Sequence, residues 1–364
     1  MDWRVQQISP RFDGDEEDEV LRSIRAGWLT EGPQAAEFLD RILAETGARH
    51  AVLAPNGTLG LFLALLALDL PRDSEILIPA FTFYASATAA LFAGLRPVFV
   101  DVDPQTFNVD VAGLENAITE RTTAIMPVHI YGHCAPMDTI MEFASDRGLA
   151  VIEDAAQAYS VTYRGRHAGT WGNLGAISFF ADKTVTTGEG GVVLTDDDKL
   201  YDRLRLLRNQ GRFNSGTFIH DGLGMNFRVT DLQCAVGNAQ LRKLPDIVAA
   251  KRANHDRYVA NLAGVQGVRW LQVQPGSDHV PFRFALVSER RDDVVAALEQ
   301  AGVQTRSFFY PLHLQPALRP YARGGLPVSE SLYEQGVCLP VHPDLTSAQI
   351  DEISAIIHDV HEGT

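Results

Sequence analysis

One lysine, Lys183, lies in the stretch FFADKTVTTGEGG (179–191), between an apolar run and a segment made almost entirely of Thr and Gly. Phe179 and Phe180 precede it, and Ser178 alternates with them. Beside aromatic rings and near another cation, the amine would be desolvated and its pKa lowered, which is what a nucleophilic lysine needs. The alternative is a solvated charge at the end of a strand, as most lysines are.

Two other stretches place polar groups directly after apolar runs. In APNGT a run ends at Ala54 and a helical pattern begins at Thr58, so free N–H groups and a helix dipole would meet where a phosphate could bind. In VIEDAAQAY, Glu153 and Asp154 follow a run and would carry one carboxylate to the rim of a sheet. Taken alone, the first is better explained as an ordinary helix start and the second as a helix cap.

Together these three features suit one ligand, pyridoxal 5′-phosphate. This cofactor needs a lysine that forms a Schiff base with its aldehyde, a carboxylate that keeps its pyridine nitrogen protonated, and an anchor for its phosphate. The protonated ring then withdraws electrons from the substrate carbon. We therefore predict a pyridoxal-phosphate site built from Lys183, Asp154 and the turn at 56–58.

The lysine, the acid and the turn must be positioned by a series of apolar runs rich in Val and Ile. Helical patterns separate most of the early runs. The apolar runs lack strict alternation, as strands buried on both faces do. The runs cover 50–54, 75–79, 96–102, 123–128, 149–154, 175–180 and 191–195. Their order predicts an α/β fold with a mostly parallel seven-stranded sheet flanked by helices, with ligands at the carboxyl ends of the strands. The last two runs are joined by a segment too short for a crossover helix, so the last strand is expected to be antiparallel.

The pattern changes beyond about residue 235, and the rest of the chain predicts a second domain. A helical stretch gives way to the strand-like PFRFALV, the helical RDDVVAALEQAG and a final helix whose TSAQ start resembles a capping box. We expect a smaller C-terminal α+β domain, with a long helix around 241–262 as the connector. The predicted boundaries are 1–240 for a large cofactor-binding domain with an N-terminal helical segment, and 241–364 for the small domain.

Composition and charge exclude several classes of protein. The 364-residue chain is 46% hydrophobic and 21% charged, as expected for a soluble two-domain protein. Its formal net charge of −15 argues against nucleic acid or a membrane surface as a partner. Cys134, Cys234 and Cys338 indicate neither a disulfide framework nor a zinc site, and they fit a reducing cytoplasm. The acidic N-terminus does not resemble a signal peptide, and the most apolar segment is too short to span a bilayer.

Nearly the whole chain resembles the DegT-type sugar aminotransferases, a branch of the fold-type-I, aspartate-aminotransferase-like pyridoxal-phosphate enzymes. The lysine segment followed by TTGEGG is highly specific for this family, whereas NGT by itself is not. The stretches that carry the resemblance are RAGWLTEGPQAAEFL (25–39), NGT (56–58), PAFTFYASATA (79–89), PVHIYGH (127–133), VIEDAAQA (151–158), ISFFADKTVTTGEGGVVLTDD (177–197), GMNFRVTDLQCAVGNAQL (224–241) and FYPLHLQPA (309–317).

The resemblance implies a role for each matching residue. Lys183 would form the Schiff base and, once released by the amino donor, move a proton between the C4′ atom of the cofactor and the substrate carbon. Asp154 would pair with the pyridine N–H, Gln157 would contact the ring or its phenolate oxygen, and Phe83 would stack on the ring. The residues that would bind the phosphate are Gly57, Thr58, Ser178 and, from the neighbouring subunit, Asn226. The last assignment implies an obligate homodimer with shared active sites.

Some of these residues also have structural explanations. Asn226 could cap a local turn, Phe83 could be a core residue, and Ser178 could be a strand hydroxyl bonded to the backbone. Asp182 stands directly before the lysine, where family members often carry Thr or Asn. Pointing inward, its carboxylate would raise the pKa of the lysine, so we expect it to point away.

The resemblance also suggests how a substrate would be held. Tyr310 and His313 resemble the sugar-side wall of the family's site, with a satisfied structural histidine as the alternative for His313. Further candidates for lining the pocket are Glu189, Arg228 and the loop 28–30. An acidic protein that binds an anionic nucleotide must supply local cations, and the candidate sources are Arg212, Arg228 and Arg306.

The predicted function is transfer of an amino group from L-glutamate to a nucleotide-linked keto sugar, a 4-keto-6-deoxyhexose, for amino sugar biosynthesis. Pyridoxamine phosphate would be the form of the cofactor between the two halves. Within this family the lysine segment favours relatives that form 4-amino sugars such as perosamine. The alternatives are a sugar dehydratase, against which Lys183 argues, an aminotransferase of a cyclic ketone such as an inosose or an aminohydroxybenzoate precursor, and a non-catalytic regulator, which would need a DNA-binding segment.

Overall fold

The strands of the protein form a large sheet, a smaller sheet and a short two-stranded ribbon in the computed structural model, which describes residues 3–214, 216 and 218–363. In chain order the strands are β1 (His50–Ala54), β2 (Glu75–Pro79), β3 (Arg96–Val100), β4 (Thr122–Ile125), β5 (Ala150–Asp154), β6 (Thr162–Tyr163), β7 (Arg166–His167), β8 (Leu174–Ser178), β9 (Gly191–Thr195), β10 (Val268–Trp270), β11 (Phe284–Ser288), β12 (Arg306–Ser307) and β13 (Gly336–Leu339). The predicted strands at 50–54, 75–79 and 191–195 are confirmed to the residue.

The large sheet has seven strands among the described residues, in the order β1-β9-β8-β5-β4-β2-β3. Only β9 runs antiparallel in it; it pairs with β8 through Ala176 and Val193 and with β1 through Val52 and Val193. The remaining strands are therefore parallel, and their carboxyl ends meet at one edge. The predicted α/β fold and its antiparallel last strand are confirmed.

Helices cover the large sheet and surround the small one. In chain order they are α1 (Asp15–Ala26), α2 (Pro33–Thr46), α3 (Gly57–Leu68), α4 (Ala85–Phe92), α5 (Val111–Ala117), α6 (Met137–Arg147), α7 (Asp198–Arg208), α8 (Asp231–Arg242), α9 (Leu244–Leu262), α10 (Arg291–Gln300), α11 (Pro327–Gln335) and α12 (Ser347–Glu362). Two apolar cores lie on the two faces of the large sheet, one with Phe38 and Ile140 and one with Leu61 and Ala89. Burial on both faces explains why the strands are apolar without alternation.

The apolar helix α3 crosses the second of these cores. Its sequence, GTLGLFLALLAL, has apolar residues on every side because α4, α7 and the sheet surround it. Its first turn follows β1 directly, with Asn56 as the N-cap residue that accepts a 2.9 Å hydrogen bond from the N–H of Leu59. The sequence of β1, turn and α3 therefore fixes the first turn of a long buried helix at the carboxyl edge of the sheet.

The small sheet has the order β10-β11-β13-β12 and its own core. Tyr258 of α9, Val294 of α10 and Ile353 of α12 pack there, together with Val5 from the start of the chain. The predicted capping box at the start of α12 is confirmed, because Thr346 and Gln349 bond reciprocally. This core is consistent with a separate C-terminal domain, and the division at 240/241 stays a prediction.

The predicted connector differs from the observed helices at one point. The helical stretch divides at Lys243 into α8 and α9. Pro245 is the second residue of α9 and has no N–H to continue the α8 ladder, so a new helix begins there. The break therefore lies within three residues of the predicted boundary at 240/241.

Candidate active site

The predicted phosphate-binding residues come together at the carboxyl edge of the large sheet. Gly57 is the first residue of α3, and a Cβ atom placed on it would lie 2.8 Å from the Cβ of Ser178, the last residue of β8. Only glycine fits this close approach. Thr58 follows as an exposed residue in the first turn, where backbone N–H groups are free to bind an anion. The Oγ atom of Ser178 accepts a 3.3 Å hydrogen bond from the N–H of Phe180.

Asp154, at the end of β5, is the buried acid of the site. Its side chain is 5% exposed, and burial raises its pKa. The hydroxyl of Ser86 in α4 donates a 2.7 Å hydrogen bond to Oδ2, and the N–H of Ala156 donates to Oδ1 at 3.2 Å. Both bonds favour the ionised form and so lower the pKa, against the effect of burial. Thr82 lies behind Ser86, with their hydroxyl oxygens 3.2 Å apart.

Glu153, the neighbouring acid, belongs to a separate structural network. It accepts hydrogen bonds from the N–H groups of Gly169 at 2.8 Å and Gly172 at 2.7 Å, and it lies 2.9 Å from Nε2 of the buried His129. Because Nδ1 of His129 accepts from the N–H of Ala135, Nε2 carries the proton and donates to Glu153. Of the two carboxylates at this strand end, only Asp154 remains for a ligand.

Lys183 lies in the turn between β8 and β9, with its side chain 15% exposed. Its Nζ atom is 4.2 Å from the ring centre of Phe282 and 3.7 Å from Oδ1 of Asp182. Burial and the nearby Arg283 lower the pKa of the amine, whereas the carboxylates of Asp182 and Asp154 raise it. The expectation that Asp182 points away from the lysine is therefore wrong: the free oxygen of its carboxylate faces the amine.

Gln157 and Phe83 lie on elements next to the acid. The Oε1 atom of Gln157 accepts a 2.8 Å hydrogen bond from the N–H of Tyr131, which orients the amide so that its NH₂ group is left to donate. Phe83 is 57% exposed, and its ring is in an edge-to-face arrangement with that of Phe309, at 6.2 Å between ring centres. The exposed ring argues against the core interpretation of Phe83.

The residues predicted to contact the substrate differ in how exposed their side chains are. His313 is buried, and its Nε2 atom lies 2.9 Å from Oε1 of Glu330, whereas its Nδ1 atom is buried without a hydrogen-bond partner among the described residues. Tyr310 is partly exposed, and its ring packs against Tyr333. Glu189 has an exposed side chain, while its backbone carbonyl accepts from Gln233.

The remaining candidates lie on loops. Asn226 is exposed, and its Oδ1 atom accepts a 3.2 Å hydrogen bond from the N–H of Arg228, as a local turn cap does. The guanidinium of Arg228 donates to Oδ1 of Asn209. In the loop 28–30, the indole N–H of Trp28 donates to the carbonyl of Glu31. Arg306 is exposed in β12.

Four residues that the sequence analysis did not identify contribute to the site. They are Ser86, Lys251, Phe282 and Arg283. Ser86 is the second residue of α4 and lies three positions after Phe83, so a hydroxyl facing the sheet could have been inferred from helical spacing. Arg283 is 101 positions from Asp182 and directly precedes β11 of the small sheet, so only the fold brings the two residues together.

The sequence profile of the DegT/DnrJ/EryC1/StrS aminotransferase family matches residues 10–358. This chain belongs to that family. A GDP-perosamine synthase from Caulobacter vibrioides is 38% identical over 364 residues, 98% of each protein. A UDP-N-acetyl-3-dehydro-alpha-D-glucosamine 3-aminotransferase from Acidithiobacillus ferrooxidans is 37% identical over 335 residues, 91% of this chain and 90% of that protein. The crystal structure of S. venezuelae DesV with a ketimine intermediate has a TM-score of 0.92 and 33% identity, covering 97% and 99% of the two chains.

These relationships confirm the predicted family, fold type and enzyme class, so this family member is a pyridoxal-phosphate-dependent aminotransferase. The residues present fit the cofactor: a glycine cradle beside Ser178, a buried acid held by two donors, and a buried amine with a lowered pKa. When bound, pyridoxal phosphate supplies an electron sink for the substrate carbon. In the aminotransferase, Lys183 would attach it and move protons, Asp154 would hold the proton on its ring nitrogen, and Gly57 would admit its phosphate.

Proposed function

We propose that this aminotransferase moves an amino group from L-glutamate to a keto sugar carried on a nucleotide diphosphate, and that the sugar is a 4-keto-6-deoxyhexose. The observation that carries the proposal is the relative named GDP-perosamine synthase, whose match covers 98% of this chain. Perosamine is a 4-amino sugar, so its precursor is a ketone at that carbon. The lysine segment favours the same class of product.

The same residues of the site would act in both half-reactions. Glutamate would give up its amino group and leave as 2-oxoglutarate, and the keto sugar would then take that group, which is ping-pong kinetics. Lys183 would act as the base and acid in both halves, because its lowered pKa lets it exist as a free amine. Asp154 would stay ionised in both, since Ser86 and the N–H of Ala156 stabilise its charge.

The nucleotide is the finer part of the proposal. The two relatives described above are named for a GDP-linked and a UDP-linked sugar, so family membership alone does not choose a base. Arg228 is a candidate for the diphosphate because its bond goes to the neutral Asn209 and leaves its charge available. We propose Arg228 and Arg306 as cation sources and Tyr310 as a sugar contact, with Glu189 and 28–30 as further lining.

We propose a homodimer in which Asn226 completes the partner's phosphate site. A group of large apolar side chains precedes Asn226 and lies exposed on this chain: Phe213, Phe218, Ile219, Leu223 and Met225. Phe218 is 93% exposed and Leu223 is 92% exposed. Exposed apolar groups of this size are typical of a surface that a partner covers. The exposed position of Asn226 at the end of the same segment supports a contact across that interface.

The function is tested with a panel of keto sugars and an isotopically labelled donor. Purified protein loaded with pyridoxal phosphate is incubated with glutamate carrying a labelled amino nitrogen and with GDP-, UDP- or dTDP-linked 4-keto-6-deoxyhexose. We expect the label in the sugar product of at least one nucleotide series by mass spectrometry, with an equal amount of 2-oxoglutarate. The Lys183→Ala protein should give neither product. A parallel reaction with glutamine distinguishes the donor.

Two outcomes would replace this proposal. Loss of water from the keto sugar without consumption of glutamate would indicate a dehydratase. Amination of an inosose, with no amination of any nucleotide sugar, would indicate an aminotransferase of cyclic ketones. The location in the cytoplasm stays a prediction, based on three cysteines that are all buried and unpaired.

A further inference from the structure

The carboxylate of Asp182 links two cations behind the cofactor site. Its Oδ2 atom accepts a 2.6 Å hydrogen bond from the guanidinium of Arg283. Its Oδ1 atom is buried, has no hydrogen-bond partner among the described residues, and lies 3.7 Å from Nζ of Lys183. Arg283 thus fixes the carboxylate through one oxygen, and the other oxygen faces the lysine amine at a distance longer than a hydrogen bond.

An apolar ring and a second buried lysine complete the surroundings of the amine. Both Lys183 and Arg283 lie over the ring of Phe282, at 4.2 and 4.5 Å from its centre. Lys251 of α9 is 4% exposed and lines a cavity with Lys183, Phe282 and Arg283. Among the described residues, the hydrogen bond of its Nζ atom is a 3.5 Å contact with the hydroxyl of Thr184. Burial, with Arg283 and Lys183 nearby, lowers the pKa of Lys251 to about 7.

The charged groups facing Lys183 therefore oppose one another. Asp182 and Asp154 favour its protonated form, whereas Arg283 opposes it. A buried ammonium without a counter-ion would be unfavourable, and one in a close, isolated ion pair would stay protonated and could not attack an aldehyde. A carboxylate shared with Arg283, at 3.7 Å, meets both requirements.

We propose that Asp182 is a positioning residue that holds the amine of Lys183 whenever that amine is not bonded to the cofactor. The inference rests on the proposed amino transfer. Lys183 would hold the cofactor until the amino donor displaces it, and it would then be a neutral amine. It would become an ammonium by taking the proton of the substrate carbon and would return that proton later, so no oxidant or reductant is consumed. Asp182 offsets the ammonium charge, and Arg283 prevents the carboxylate from moving with the lysine.

The test measures how fast protein without cofactor attaches added pyridoxal phosphate as a function of pH. Only the neutral amine attacks the aldehyde, so the midpoint of the rate profile, followed by absorbance, reports the pKa of Lys183 in the free protein. Asp182→Asn should move the midpoint down by about one pH unit, because a counter-ion within about 4 Å is lost. Arg283→Met removes the cation that lowers the pKa of Lys183 and should move the midpoint up.

Opposite shifts distinguish positioning from loss of structure, which would change both variants in the same direction. Asp292→Asn, on the exposed surface of α10, is the matched control and should leave the midpoint unchanged. Thermal unfolding confirms that each variant is folded, and if Asp182→Asn does not fold, Arg283→Met and the charge-retaining Asp182→Glu still decide the question.

Unchanged midpoints, or shifts of equal sign, would overturn the positioning role while leaving the proposed function intact. A protein that forms no covalent adduct at any pH would contradict both. Because the assay contains neither glutamate nor a nucleotide sugar, failure of the substrate assignment does not affect it.

Discussion

The ionised form of Asp154 depends on a hydrogen bond from the hydroxyl of Ser86. Burial at the end of β5 favours the neutral acid, which could not hold a proton on a pyridine nitrogen. Ser86 reverses part of this effect through its 2.7 Å bond to Oδ2, and Thr82 lies on the far side of that hydroxyl. The acid therefore works because α4 presents Ser86 to it.

Substitution of Ser86 by Ala should weaken cofactor binding and leave the fold intact. Loss of a hydrogen bond to a charged group costs about 1.5–3 kcal/mol, which corresponds to about a tenfold to hundredfold weaker affinity for pyridoxal phosphate. The pKa of Asp154 should also rise, so that binding weakens further as the pH falls. Fluorescence titration of the cofactor-free protein with pyridoxal phosphate measures both effects.

Thr88→Ala provides the control on the same helix. Its hydroxyl bonds only to carbonyls of the preceding turn, those of Tyr84 and Ala85, and does not face the acid. Its affinity for the cofactor should equal that of the unmodified protein. Equal affinities for Ser86→Ala and Thr88→Ala would show that Ser86 does not support Asp154.

Residues at strand ends could be predicted from the sequence, and residues that act through the fold could not. Asp154 ends β5 and Gly57 begins the helix after β1, so the ends of apolar runs indicate both. Ser178 ends β8, but the predicted run continues to residue 180, so its role follows only from the resemblance to the family. Arg283 has no such signal, because its role depends on a contact with a residue 101 positions away. The orientation of Asp182 was predicted wrongly for the same reason: without Arg283, an inward carboxylate has no visible partner.

At the scale of elements, the first turn of α3 is a tightly packed junction between a helix and a strand. Gly57→Ala would place a methyl group 2.8 Å from the Cβ of Ser178 and force the two apart. Overpacking of this kind typically costs about 1–3 kcal/mol, and here it would also displace the N–H groups meant for the phosphate. We expect about tenfold or greater loss of affinity for pyridoxal phosphate, measured by the same titration.

Gly60→Ala in the same helix is the matched control. A Cβ atom there would meet its nearest neighbours at 3.7–3.8 Å, which is ordinary contact, and Ala favours the helix by about 0.5–1 kcal/mol. This variant should keep its cofactor affinity and melt at the same or a higher temperature. Equal loss of affinity in both variants would mean that the cradle at Gly57 has no special role.

Most of the strands and helices could be predicted from local sequence patterns. The predicted strands at 50–54, 75–79 and 191–195 agree with β1, β2 and β9 because buried strands have sharply bounded apolar runs. The break at Lys243 was not predicted, although Pro245 is visible in the sequence, because proline in the first turn of a helix and a continuous helical pattern look alike. Tertiary packing decides between them.

At the scale of the whole molecule, the proposed homodimer predicts that two inactive variants restore each other. Lys183→Ala and Asn226→Ala are each expected to be impaired as pure dimers. If Asn226 acts across the interface, a mixed dimer contains one site with both substitutions and one site with neither. Random co-expression should then return about a quarter of the unmodified activity, because half of the dimers carry one intact site of two.

If Asn226 acted within its own chain, each site of the mixed dimer would carry one substitution and activity would not return. The glutamate half-reaction, followed by absorbance, measures the restored sites without a nucleotide sugar. Leu223→Glu, in the exposed apolar segment, should separate the dimers in solution, as measured by light scattering.

Among the described residues, no helix is long and apolar enough to cross a bilayer.

The lysine to which the cofactor attaches tests the assignment of the active site most directly. Borohydride reduces the imine between pyridoxal phosphate and lysine to a stable bond, and peptide mass spectrometry then locates the pyridoxyl group. Lys251 is a second buried amine with a lowered pKa, and it lines a cavity that contains Lys183 but none of Gly57, Asp154 and Ser178, so it serves as an internal comparison. We predict the pyridoxyl group on Lys183 alone and none in the Lys183→Ala protein. A pyridoxyl group on Lys251, or on no lysine, would contradict the assignment of the active site.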